Sequence, residues 1–125
     1  MPSLAAAVAL CCEDPPKETA PGVFCSRFLF PPEFIGFGGH FPADPVLPGI
    51  VQIMAVSRTY GGMFSGRLLK ISSCKFLRPI LPGERIDIRL KKDATAAGVK
   101  VSASLAVGTD PCSFITLLFS RETEE

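Results

Sequence analysis

Apolar and polar side chains alternate most clearly in the C-terminal half of the chain. In ERIDIRLKKD (84–93), Ile86, Ile88 and Leu90 alternate with charged residues. This predicts an antiparallel strand with one face buried and one in water. GVKVSASLAVG (98–108) alternates in the same way, and CSFITLLFSR (112–121) predicts a continuous apolar strand. LPGE (81–84) and GTDP (108–111) supply turns between them. Upstream, RLLKISSCKFLRPI (67–80) predicts a strand that stops at Pro79, and VFCSRFLF (23–30) has the composition of another.

One stretch follows a different pattern. After Pro48 and Gly49 the run IVQIMAVSRTYGGMF is nearly apolar, broken by Gln52, Ser57, Arg58 and Thr59. Pro48 suits the entry to a helix and the Gly61–Gly62 pair suits its end. A helix apolar on most sides is a buried helix. One buried helix followed by antiparallel strands predicts an α+β domain in which a curved sheet wraps a central helix. Such a fold leaves one sheet edge free, and edge-to-edge dimerisation hides it. EDPPKETAPG (13–22) reads as a polar, proline-broken linker, so residues 1–22 are expected as an N-terminal arm and linker and 23–125 as a single domain. The segment 31–49 is too rich in proline and glycine for regular structure and is expected as a packed loop.

Composition narrows the function classes. A hydrophobic share of 47% over 125 residues supports one domain with a real core. Thirteen basic residues against twelve acidic ones argue against a nucleic-acid surface built on a basic excess. Five cysteines without a paired C-x-x-C spacing, and a single histidine, argue against a zinc site. They read as reduced, small apolar residues of a cytoplasmic protein. MPSLAAAVALCC carries no Lys or Arg ahead of its apolar stretch, so an arm is expected there rather than a secretory signal. No run reaches the ~18 apolar residues of a membrane span.

The one histidine, His40, lies in GHFPADPVLPGIVQIMAV (39–56), immediately before the predicted helix. This stretch resembles the G-H-F-P-x-x-P-x-x-P-G signature of the β-hydroxyacyl-[acyl carrier protein] dehydratases, of the FabZ and FabA kind. KFLRPILPGERIDI (75–88) resembles the same family's second landmark, and the likeness covers about residues 23–121. The resemblance implies a hotdog-fold homodimer with two active sites at the subunit interface. There a histidine on one subunit faces an acidic residue on the central helix of the other. It implies a 3-hydroxyacyl thioester substrate on the phosphopantetheine of acyl carrier protein or on CoA, and a trans-2-enoyl product plus water. Neither metal nor redox cofactor is implied. His40 matches the catalytic histidine, and Gly49 the helix-start glycine whose N–H holds the thioester oxygen. The chemistry suits these residue types. Imidazole titrates near neutrality and makes a fitting base for the α-proton. A helix-start N–H offers a hydrogen bond and the positive dipole end to a developing enolate.

One position departs from the pattern. The family's acid lies fourteen residues after its histidine, and Met54 stands there in this chain. Methionine donates no proton. Gln52 points about 200° away from Met54 around the helix. Arg58 lies one turn on along Met54's face; it can hydrogen-bond a leaving hydroxyl without giving up a proton. Asp44 and Glu33 sit in loops and are weak substitutes. Arg67, Lys75 and Arg78 are the candidate contacts for an acidic carrier protein. Three readings follow: a dehydratase-like enzyme, a non-catalytic subunit whose homologous partner supplies the acid, and an acyl thioesterase. The PGIVQ helix start resembles family members of specialised fatty-acid or polyene pathways.

Overall fold

The alternating runs become the strands of one sheet. The computed structural model describes residues 3–37 and 45–121. Helix α1 (Leu4–Leu10) leads into strands β1 (Cys12–Ala20) and β2 (Val23–Leu29), then a short 3-10 turn (Ile35–Phe37). Helix α2 (Gly49–Gly61) follows, and then β3 (Leu68–Phe76), β4 (Arg85–Thr95), β5 (Gly98–Val107) and β6 (Asp110–Phe119). Among the described residues the six strands form one sheet in the order β1-β2-β4-β5-β6-β3, each pair of neighbours antiparallel.

The strands' period of two sends Ile86, Ile88 and Leu90 of β4, Val101 and Leu105 of β5, and Ile115 and Leu117 of β6 into one core. There they meet Val51, Ala55, Val56 and Tyr60 of α2. Arg85, Asp87 and Arg89 alternate onto the exposed face of β4. A chain of phenylalanines anchors the segment after β2. Phe28 stacks on Phe30, Phe30 meets Phe34 edge-on at 4.7 Å, and Phe34 meets Phe37. These contacts fix the described backbone up to three residues before His40, which itself lies outside the described residues.

Three expectations are corrected. Residues 13–22 do not form a linker: Cys12–Ala20 is a strand paired with β2. Its prolines are tolerated because β1 is an edge strand, and its pairing with β2 shifts register between Asp14 and Lys17, where Pro15 and Pro16 stand. The expected arm begins with α1, capped by the Ser3 hydroxyl accepting from the Ala6 N–H at 3.1 Å, and its Val8 enters the core. Strand β6 starts at Asp110 rather than 112, because Pro111 pairs opposite Ala106 across a register shift. Finally, α2 is covered on one side only. Val51, Gln52, Ala55, Val56, Thr59 and Tyr60 are buried, whereas Ile50 is 54% exposed and Arg58 is exposed.

The turn from β4 to β5 requires glycine. Gly98 has φ +146°, and a Cβ there would lie 2.4 Å from the Phe119 carbonyl oxygen, a backbone atom that cannot swing aside. Gly98→Ala is therefore expected to lower the unfolding free energy by about 2–4 kcal/mol, combining backbone strain with a steric clash. Urea denaturation of the two proteins, compared at equal m-value, checks it.

Candidate functional site

Helix α2 begins at a sharp corner, Leu47–Pro48–Gly49. Pro48 serves as N-cap with extended dihedrals and no side-chain cap. Its carbonyl accepts from the N–H groups of Val51 and Gln52, at 3.0 and 3.2 Å. The Leu47 N–H donates to the Ile80 carbonyl at 2.8 Å, tying the corner to the segment between β3 and β4. The Gly49 N–H has no hydrogen-bond partner among the described residues. It lies at the positive end of a thirteen-residue helix, which favours a partly negative oxygen.

Position 49 is crowded by a side chain that has to shift for any residue larger than glycine. A Cβ there would stand 2.8 Å from Cζ of Phe76, whose ring packs on the helix start. Val46, Leu47, Gly49, Phe76, Leu77 and Arg78 line a cavity of about 320 Å³ at this corner. A second cavity, about 400 Å³, lies along the open face of α2. Met54, Ile50 and Ile53 form one wall of it, Leu68 and Ile71 of β3 another, and Ala5 and Val8 of α1 a third. Ser57 and Arg58 are its polar residues, and no carboxylate lines it among the described residues. Met54 is half-buried there. Arg58 also lines a neighbouring pocket beside Cys12, whose thiol burial pushes up while the Arg58 charge opposes that shift.

The other candidates are spread around the molecule. Glu33 is exposed in the turn before the 3-10 segment. Asp44, like His40, lies outside the described residues. Lys75 is exposed on β3 opposite Phe114, and exposed Arg67 precedes that strand. Arg78 is differently placed. Its guanidinium donates to both carboxylate oxygens of Glu84 at 2.9 and 3.0 Å and to the Pro79 carbonyl at 2.7 Å, with Asp110 at 4.0 Å. Glu84 in turn accepts from the Leu81 N–H at 2.8 Å. The Arg78 charge is thus committed to the loop that leads into β4, beside the Gly49 cavity. Sequence reasoning passed over Gln52 as a functional residue. It is 3% exposed, and the signal available was an amide within an otherwise apolar helix. No three His, Cys, Asp or Glu side chains gather as a metal site among the described residues. No helix among them is long and apolar enough to cross a membrane.

A six-stranded antiparallel sheet packed on one long helix defines a hotdog-fold protein. The chain belongs to the ApeI dehydratase-like family, whose model matches residues 17–112. It is similar to the 3-hydroxyacyl-[acyl-carrier-protein] dehydratase FabZ of Gluconacetobacter diazotrophicus, with 38% identity over 74 residues, 50% of this chain and 46% of that protein. The FabZ of Gluconobacter oxydans is 35% identical over 74 residues, 50% of this chain and 44% of that protein. The chain therefore spans about half the length of the curated relatives it matches. Among solved structures it shares its fold with the dehydratase heterocomplex ApeI:P from Xenorhabdus doucetiae, at a TM-score of 0.68 and 23% identity over 85% of this chain and 94% of that one. A structure of an uncharacterized protein from Erwinia carotovora subsp. atroseptica superimposes with a TM-score of 0.67 and 25% identity, covering 88% of this chain and 93% of that one.

The Arg78–Glu84 pair gives the site's border a pH signature. Arg78 holds the Glu84 carboxyl below its ordinary range, with the Leu81 N–H assisting. A carboxylate with a depressed folded pKa stabilises the fold fully above its unfolded pKa, and that stabilisation is lost as pH falls through the folded value. Glu84→Gln is expected to lower stability by about 1 kcal/mol near neutral pH. The two proteins should converge in strongly acidic solution, which denaturant titrations across that range check.

Proposed function

We propose that this protein is a dehydratase-like subunit acting on 3-hydroxyacyl thioesters carried by acyl carrier protein or CoA, in a specialised fatty-acid or polyene pathway. The observation that carries the reading is the Gly49 N–H at the start of α2, without a partner among the described residues, on a glycine that lines a cavity directly after the His40 motif. In this reading His40 removes the α-proton while the thioester oxygen, gaining negative charge, accepts from the Gly49 N–H. The electron pair of the broken C–H bond forms the C2–C3 double bond, and the C3–O bond breaks. The departing hydroxyl takes a proton and leaves as water. With methionine at 54, the His40 imidazolium formed in the first step is the proton donor this chain itself supplies. No cofactor or metal takes part. Carrier contacts fall to Lys75 and Arg67, because Arg78 is already bound to Glu84.

A second reading draws on the cleft. Met54, Ile50, Leu68 and Ile71 form an apolar surface without a carboxylate, suited to a homologous chain that brings its own acid. The dehydratase heterocomplex that shares this fold supports such an arrangement. In that case the chain completes a heteromer rather than acting as a homodimer. Mass spectrometry of a 3-hydroxyacyl carrier-protein thioester incubated with the protein alone separates the readings. Loss of one water is expected from the dehydratase, release of the acyl group from a thioesterase, and neither from a partner-dependent subunit.

Substitution at 54 tests the same site from within. Glutamate approximates methionine in length, and the apolar cleft would raise its pKa, keeping it in the protonated form that dehydration uses. Met54→Glu is expected to raise hydration of an enoyl thioester by about tenfold or more. Adding His40→Ala should abolish the gain. A Met54→Glu protein that keeps the wild-type oligomeric state and gains nothing puts the partner-dependent reading first.

A further inference from the structure

Gln52 is the polar side chain that an apolar helix carries into its buried face, and both ends of its amide are engaged. Its Oε1 accepts from the Ser113 hydroxyl at 2.7 Å, and Ser113, on β6, is 0% exposed. Its Nε2 donates to the Leu47 carbonyl at 3.4 Å. The bridge therefore runs from β6, the strand beside the β3 edge, through the first turn of α2, to the corner before Gly49. With it in place every polar backbone group of Leu47 and Pro48 is used. The Leu47 N–H goes to Ile80, the Leu47 carbonyl to Gln52, and the Pro48 carbonyl to Val51 and Gln52. The Gly49 N–H is the next donor along the chain after that of Leu47, and it has no partner among the described residues.

We infer that Gln52 is a positioning residue, which fixes the Leu47–Pro48–Gly49 corner against β6 and thereby aims the Gly49 N–H. The inference rests on the reading of Gly49 as the thioester-oxygen donor and names the residue that holds it. A donor that stabilises developing charge works because it is held in place before the charge appears. The long donor-to-carbonyl distance fits a restraint on position more than a source of stability, since hydrogen bonds weaken as they lengthen.

The other buried polar pair on the helix supplies the contrast. Ser26 meets Thr59 at 2.7 Å, and Thr59 donates to the Ala55 carbonyl of its own helix at 2.8 Å. That pair joins α2 to β2 near the helix's far end. It reaches no loop. Its loss should disturb stability without moving the corner.

The test compares wild type, a Gln52→Leu/Ser113→Ala double variant, and Ser26→Ala. The double variant removes both members of the bridge, so neither is left buried opposite a missing partner. Amide exchange followed by NMR at Leu47 and Val51 is expected to quicken by about tenfold in the double variant, with Val101 of β5 unchanged, as for a local opening. In Ser26→Ala both corner amides should keep their wild-type rates. Turnover of an enoyl thioester should lose about tenfold in kcat in the double variant with KM nearly unchanged, the pattern of a lost transition-state interaction, and Ser26→Ala should stay within about twofold. Unchanged exchange at Leu47 and Val51 overturns the inference, as does an equal kcat loss in Ser26→Ala. If wild type turns over no thioester, the proposed function falls, and the exchange comparison decides the role of Gln52 by itself.

Discussion

A helix that is apolar along most of its length must be covered, and any polar side chain it buries must be met by another. Helix α2 obeys both demands at once. Gln52 finds Ser113 and Thr59 finds Ser26, on strands at opposite sides of the sheet's interior face. An unmet buried donor or acceptor costs on the order of 1–3 kcal/mol, so two such pairs, one toward each end, fix both the axis and the rotation of the helix. Rotation decides what faces outward. With 52, 55, 56 and 59 turned to the sheet, residues 50, 54 and 58 share the open face at one-turn intervals. The chemistry available in the cleft is therefore a consequence of how the buried face is paired.

Much of the fold was legible because burial imposes periods. The alternation in 84–93 and 98–108 is the direct imprint of a sheet with one dry face, and those strands lie where the pattern put them. β1 was not legible, since an edge strand with both faces largely in water needs no apolar alternation, and its prolines mimic a linker. Covering of α2 was overread for a related reason. Apolar composition says that a face avoids water, but not whether its own domain or another chain covers it. Ile50 stays exposed and Met54 half-buried, uncovered by the sheet of their own domain.

The site divides in the same way. Gly49 was singled out by its motif, and the structure adds that any larger residue there has to displace the half-exposed Phe76 ring. Arg78 read as a surface cation because its partner, Glu84, is brought to it by a turn whose closure a linear pattern does not reveal. Gln52 read as pointing away from Met54, which is correct. Its partner Ser113 lies 61 residues away, beyond any local pattern, although Leu47 is only five residues distant.

The cleft and the free edge of the sheet are one surface. β3 is the outermost strand beside β6, and its side chains Leu68, Ile71 and Phe76, paired opposite buried Phe119, Leu117 and Ser113, remain exposed. Leu68 and Ile71 line the same cavity as Met54. Covering an exposed strand edge and covering this apolar wall are then a single event for any chain that does so. Near charge balance leaves apolar burial as the main driving force for it. Met54 and Arg58 stand on the α2 wall of this cleft, with β3 and α1 forming the others. The absence of an acid from the helix is thus a statement about one wall, and neither of the other two supplies a carboxylate among the described residues.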